Sequence, residues 1–142
     1  MRLATLVLFV VVACNDVRAF EGTWTGPRVG DPAPLHVGVD TAASATLSID
    51  SIDTHGVRGA LSISGLVDAA PFVSIEGAEA DVLSGISFGG APMRVYLAFV
   101  TIPDGGGEAL AVIALYEQRR VEVRVLRGGA IPLYGIFALA DG

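Results

Sequence analysis

The chain of 142 residues contains no lysine, one cysteine, two histidines and one tryptophan. A single cysteine excludes a disulfide within the chain, so stability has to come from packing. His36, His55 and that cysteine have no ordered metal-ligand spacing, and no cofactor or metal motif is present. Nine arginines against fifteen acidic residues give a formal net charge of −6. No basic arm or patch suited to nucleic acid dominates such a chain. Long hydrophobic runs are also missing. The greasiest stretch, Leu3–Val12, is broken only by Thr5, and it falls well short of the roughly 20 residues a spanning helix needs.

What is present is a hydrophobic content of 52%, with eighteen glycines and seven prolines spread through the chain. That much apolar matter can fill a core, and the dispersed glycines and prolines mark many turns. Met1-Arg2 followed by Leu3–Val12 reads as the charged and apolar regions of an export signal.

Val11-Val12-Ala13-Cys14 directly follows the apolar run. The tetrad resembles a bacterial lipobox, in which aliphatic and small residues precede an invariant cysteine. The resemblance implies removal of residues 1–13 and lipidation of Cys14, with the membrane as a partner through that lipid. It further implies outer-membrane rather than inner-membrane residence, because Asn15 and not Asp follows the cysteine. Several acyl chains on one cysteine hold a protein stably at a membrane, which one chain does not. Val17-Arg18-Ala19 also fits a signal peptidase site. Cleavage after Ala19 would discard the cysteine and leave a secreted domain beginning at Phe20. Both readings stand on the sequence.

Behind the leader, residues 14–20 read as a short tether and 21–142 as one β-domain. Glu21–Gly26 reads as a first strand ended by Gly26-Pro27, and Leu35–Val39 as a brief second. Ala45–Ile52 and Val57–Ser64 alternate apolar and polar residues around Asp53-Thr54-His55-Gly56, as a hairpin does. Phe72–Ile75, Asp81–Leu83 and Gly85–Phe88 are weaker strand segments. Met93–Thr101, Ala109–Glu117, Val121–Leu126 and Ile131–Leu139 are longer and separated by turn residues. Glu108–Arg120 is rich in helix formers, but the clean alternation of Val121–Val125 demands an antiparallel neighbour, so a strand is expected there. The fold class is all-β: an antiparallel barrel or a sandwich of about eight strands. A last strand reaching the C-terminus is placed to pair with the Trp24 strand and close the sheet. Met93–Val100 and Ala109–Leu115 are apolar on both faces, so one face must be covered by something other than the shared core.

Gly22-Thr23-Trp24 opening a small β-domain resembles the Gly-x-Trp first strand of lipocalins and other calycins. The resemblance implies that Trp24 plugs one barrel end with a late-strand arginine stacked on it, a role open to Arg124 or Arg127. Streptavidin-like proteins open similarly, but they line their site with several tryptophans and this chain has one.

No reaction is named by any motif. Gly85-Ile86-Ser87-Phe88-Gly89 fits the spacing of a nucleophile elbow, but the elbow needs a helix after the serine and a later histidine, and both histidines lie upstream. Asp50, Asp53 and His55 read as hairpin residues; the stretch lacks the alternating oxygen ligands of a calcium loop. Glu76, Glu79 and Asp81 read as a solvated acidic loop. Arg119, Arg120, Arg124 and Arg127 gather near Glu117 and Glu122, either as a basic strip or as a solvated strand face with cross-strand pairs. The expectation is a non-enzymatic envelope protein. It would bind a small apolar ligand or a protein partner through residues such as Trp24, Arg124, Arg127, Tyr96, Tyr116 and Tyr134, or serve structurally without a small-molecule ligand. Phe99 and Phe137 are further aromatics for such a surface.

Overall fold

The structure is a computed structural model that describes residues 16–29, 44–76, 90–127 and 133–142, with only the backbone described for 133 and 134. Among these, a 3-10 helix (Val17–Phe20) precedes β1 (Gly22–Pro27), β2 (Ser44–Ile52), β3 (Val57–Ile63), β4 (Val67–Val73), β5 (Arg94–Ile102), β6 (Gly107–Tyr116), β7 (Arg120–Arg127) and β8 (Leu133–Asp141). All eight form one antiparallel sheet in the order β4-β3-β2-β1-β8-β7-β6-β5. Strands that are neighbours in sequence are therefore paired, except β4 and β5 at the two ends of the sheet, and β1 pairs with β8. Trp24 stands opposite Asp141 and Thr25 opposite Ala140, with a further bridge from Arg28 to Phe137. The two ends of the sheet meet at a Ser74–Ala98 bridge and a hydrogen bond from the Ile75 amide to the Leu97 carbonyl, 2.7 Å. The sheet is thus nearly closed into an up-and-down barrel, which leaves little free strand edge.

Period-two patterning decides which residues fill it. Leu47 and Ile49 of β2, Leu61 and Ile63 of β3, Val100 of β5, Ile113 and Leu115 of β6, Val121 and Val123 of β7, and Phe137 and Leu139 of β8 join Trp24 in one buried cluster. Each such aliphatic or aromatic side chain contributes roughly 1.5–3 kcal/mol relative to exposure. A barrel of eight strands is just wide enough for side chains to fill, and at the described positions this one is filled by its own.

Two bulges keep that alternation in phase. In β2 the register shifts between Ile49 and Ser51; Asp50 and Ser51 both face out and Ile52 returns inward. In β4 Asp68 and Ala69 both face out before Ala70 and Phe72 turn in. Ala69 takes a left-handed backbone, φ 44°, and its amide donates to Ser62 Oγ at 2.8 Å. This second bulge explains why the sequence pattern suggests a strand only from Phe72, whereas β4 starts at Val67: its alternation is broken, and Pro71 argues against a strand except near a sheet edge. The segments read as strands at Leu35–Val39, Asp81–Leu83 and Gly85–Phe88 lie outside the described residues. The residues ending in Gln118-Arg119 are a hairpin turn between β6 and β7, so the strand reading of the helix-prone segment holds.

Closure depends on Gly26. The chain does not stop there as its Gly-Pro suggests; β1 runs on through Pro27. A Cβ on Gly26 would drive into the Ala138 carbonyl across the β1–β8 seam. We expect Gly26→Ala to destabilise the domain by at least roughly 1–3 kcal/mol through this backbone clash. Ala69→Gly should instead leave stability unchanged or raise it by up to about 1 kcal/mol, because the left-handed conformation penalises Ala. Urea unfolding of the two variants beside the parent chain checks both signs.

Candidate functional site

The strands place two sets of connections at opposite barrel ends. The 3-10 helix, the β2–β3 turn, the β6–β7 turn and the C-terminus share one end; the β3–β4 and β5–β6 turns share the other. The first end carries most of the sequence-selected residues.

Trp24 is fully buried. Its indole N–H donates to the Phe20 carbonyl at 2.8 Å, and its ring stacks on Phe20 at 5.4 Å between centroids and 26° between planes. Phe20 is held by the 3-10 helix. Asp16 caps that helix by accepting from the Arg18 amide at 3.0 Å, and Val17 is buried beside Phe20 in the main core. Residues 16–20 are therefore part of the folded domain, and the tether read over 14–20 shrinks accordingly.

The arginine over Trp24 is Arg119, whose guanidinium carbon lies 5.6 Å from the ring centroid. The residue sits in the β6–β7 turn with φ 53°. Its Nη2 reaches Asp141 Oδ2 at 2.6 Å, which ties that turn to the end of β8. Arg124 and Arg127 hold other positions. Arg124 Nε donates to Glu122 Oε1 at 2.6 Å, the two residues sharing one face of β7 as i, i+2 neighbours do. Arg127, at the opposite end, donates from Nη1 to the Gly106 carbonyl at 2.7 Å. The sequence signal missed Arg119 because stacking geometry here comes from a turn residue and not from strand alternation.

The tyrosines do not form one surface. Tyr96 belongs to the main core, and its hydroxyl donates to the Asp53 carbonyl at 2.6 Å; burial pushes its phenol above the usual range. Tyr116 alternates to the outer face of β6, with the Arg120 guanidinium 4.1 Å above its ring. Burial, followed by the Glu122 carboxylate, raises its phenol also. The Tyr134 side chain lies outside the described residues, as do His36, Ser87, Glu79, Asp81 and Cys14.

An open groove of about 580 Å³ runs beside the 3-10 helix, lined by Arg18, Glu21, Asp53, His55, Arg58 and Glu76 among others. Within it the Asp53 carboxylate is engaged by the backbone of its own turn. Asp53 Oδ1 accepts from the amides of His55 at 2.7 Å and Gly56 at 2.9 Å, an Asx-type arrangement that closes the hairpin. Those amides hold its carboxyl below the usual range. The His55 ring is largely exposed, 3.8 Å from Asp53 Oδ1. Among the described residues no three His, Cys, Asp or Glu side chains converge as a metal set.

The outer face of β5–β7 bears out the two-sided apolar pattern. Leu97 and Val112 are buried there, with Val95, Leu110 and Leu126 packed against them. Beside them three large apolar side chains are exposed: Val73 at 61%, Phe99 at 52% and Ile75 at 40%. The Ser74–Ala98 bridge sets Val73 opposite Phe99 and Ile75 opposite Leu97, so all three flank the seam where the barrel closes. Comparison with protein-family models, curated proteins and solved structures finds no match.

Asp53 generates a pH prediction. Its folded pKa is depressed below the ordinary 3.8. The carboxylate's contribution is therefore complete above that value and is lost as pH falls through the folded pKa. We expect Asp53→Asn to flatten the acid limb of the stability profile, its stability falling slightly below the parent's near neutrality and converging with it at low pH. Thermal unfolding of both proteins across acidic pH checks this; identical acid limbs would contradict the assignment.

Proposed function

We propose that this chain is an exported lipoprotein: residues 1–13 are removed, Cys14 carries the lipid, and a non-enzymatic barrel is held at the cell envelope. The observation that supports this reading over the secreted one is the construction of residues 16–20. Cleavage after Ala19 would remove the cap at Asp16 and the buried Val17. Cleavage before Cys14 leaves the helix, its cap and the Phe20–Trp24 contact intact. The lipobox resemblance, with Asn15 after the cysteine, directs the protein to the outer membrane, facing the periplasm or exterior.

Within that reading the barrel acts through its surface. The interior at the described positions is occupied by the chain's own side chains, which favours a protein partner over a small apolar ligand held inside. The seam residues Val73, Ile75 and Phe99 supply an exposed apolar cluster of the kind that marks interaction sites.

The test is the intact mass of the protein purified from native membranes. The expected species begins at Cys14 with acyl chains attached, and Cys14→Ser should move the protein out of the membrane fraction. An unmodified chain starting at Phe20 would overturn the proposal.

A further inference from the structure

If Cys14 bears the lipid, its place in the chain fixes how the barrel stands on the membrane; this inference rests on the lipoprotein reading. Asp16 is two residues after Cys14, and two residues of extended chain span at most about 7 Å. Asp16 has no slack of its own. Its carboxylate holds the Arg18 amide, and its carbonyl accepts from the Ala19 amide at 3.1 Å. Val17 and Phe20 are locked into the core, and Phe20 is bonded to Trp24. In sequence, only Asn15 separates Cys14 from a residue fixed to the barrel end.

The geometry points to the barrel end built from the 3-10 helix, the β2–β3 turn and the β6–β7 turn as a bilayer-docking surface. The β3–β4 turn at Ser64 then stands away from the membrane, by roughly 20 Å for strands of this length and an ordinary barrel tilt. The chemistry of the docked end fits a headgroup layer. Arg18, His55, Arg119 and Arg120 are exposed there beside Asp16, Glu21, Asp53, Glu117 and Asp141. Both signs of charge are interspersed, and the exposed Val73 borders the groove at this end. Such an end rests on zwitterionic phospholipid and does not depend on anionic lipid. The groove lined by Arg18, Arg58 and Val73 belongs to this same end, and Phe99 lies further along the seam.

The experiment uses the full lipidated protein in phosphatidylcholine–phosphatidylethanolamine vesicles. Single cysteines placed by Thr54→Cys, Gln118→Cys or Ser64→Cys carry an environment-sensitive fluorophore, the native cysteine being blocked by its lipid. Spin-labelled headgroups should remove most of the emission at positions 54 and 118 and leave position 64 unchanged. A flexible Gly-Ser insertion between Asn15 and Asp16 should abolish that difference without altering the acylated mass. Equal quenching at the two ends, or quenching at 64 alone, would overturn the orientation while the anchor stands. An unmodified mass with no flotation on vesicles would overturn the anchor, and the orientation with it.

Discussion

The hydrogen bond from the Trp24 indole to the Phe20 carbonyl is the contact on which the architecture of this end depends. A buried indole N–H without a partner costs a large part of its desolvation energy, so the ring can occupy the barrel only if a carbonyl is brought to it. The 3-10 helix brings that carbonyl. Val17 and Phe20 are then buried by the same turn, and Asp16 is fixed as its cap. Arg119 covers the ring from the β6–β7 turn and clasps Asp141. As an exposed ion pair the Arg119–Asp141 contact adds little stability; its consequence is positional, joining the last two elements to the first.

Closure of the barrel follows from the same strand. β1 lies between β2 and β8, and its Trp24 and Gly26 have opposite demands: one needs the largest side chain inside, the other none at all against Ala138. Once β1 is seated, the remaining strands follow as neighbours in sequence, and the weakest joint falls where β4 meets β5. That joint carries one bridge and an amide bond, a bulge at Ala69 and a proline at 71. The exposed Val73, Ile75 and Phe99 are gathered at this joint, so the least reinforced part of the described sheet also carries its exposed large apolar side chains.

Much of this was legible in the sequence because period-two alternation is a direct record of an inside and an outside. The hairpin at Asp53–Gly56, the pairing of β6 with β7 and the strand that returns to Trp24 could all be read that way. β4 could not, since its bulge puts Asp68 and Ala69 on the same side and breaks the pattern. Arg119 was unreadable for a different reason: its place over Trp24 depends on a left-handed turn residue and on the meeting of two distant strands. The helix at Val17–Phe20 was hidden by its length, one turn being too short to show a helical period. Barrel and sandwich also predict one strand pattern, and only the β1–β8 pairing with the Ser74–Ala98 bridge separates them.

Asp16–Ala19 belong to the folded domain, capping and burying the first turn against the barrel. The decisive comparison is the stability of a chain beginning at Asp16 with one beginning at Phe20, both unfolded in urea. Loss of the cap and of the buried Val17 should cost about 2 kcal/mol or more. Equal stabilities would mean that the helix is dispensable, and would remove the structural argument for a mature protein that begins at Cys14.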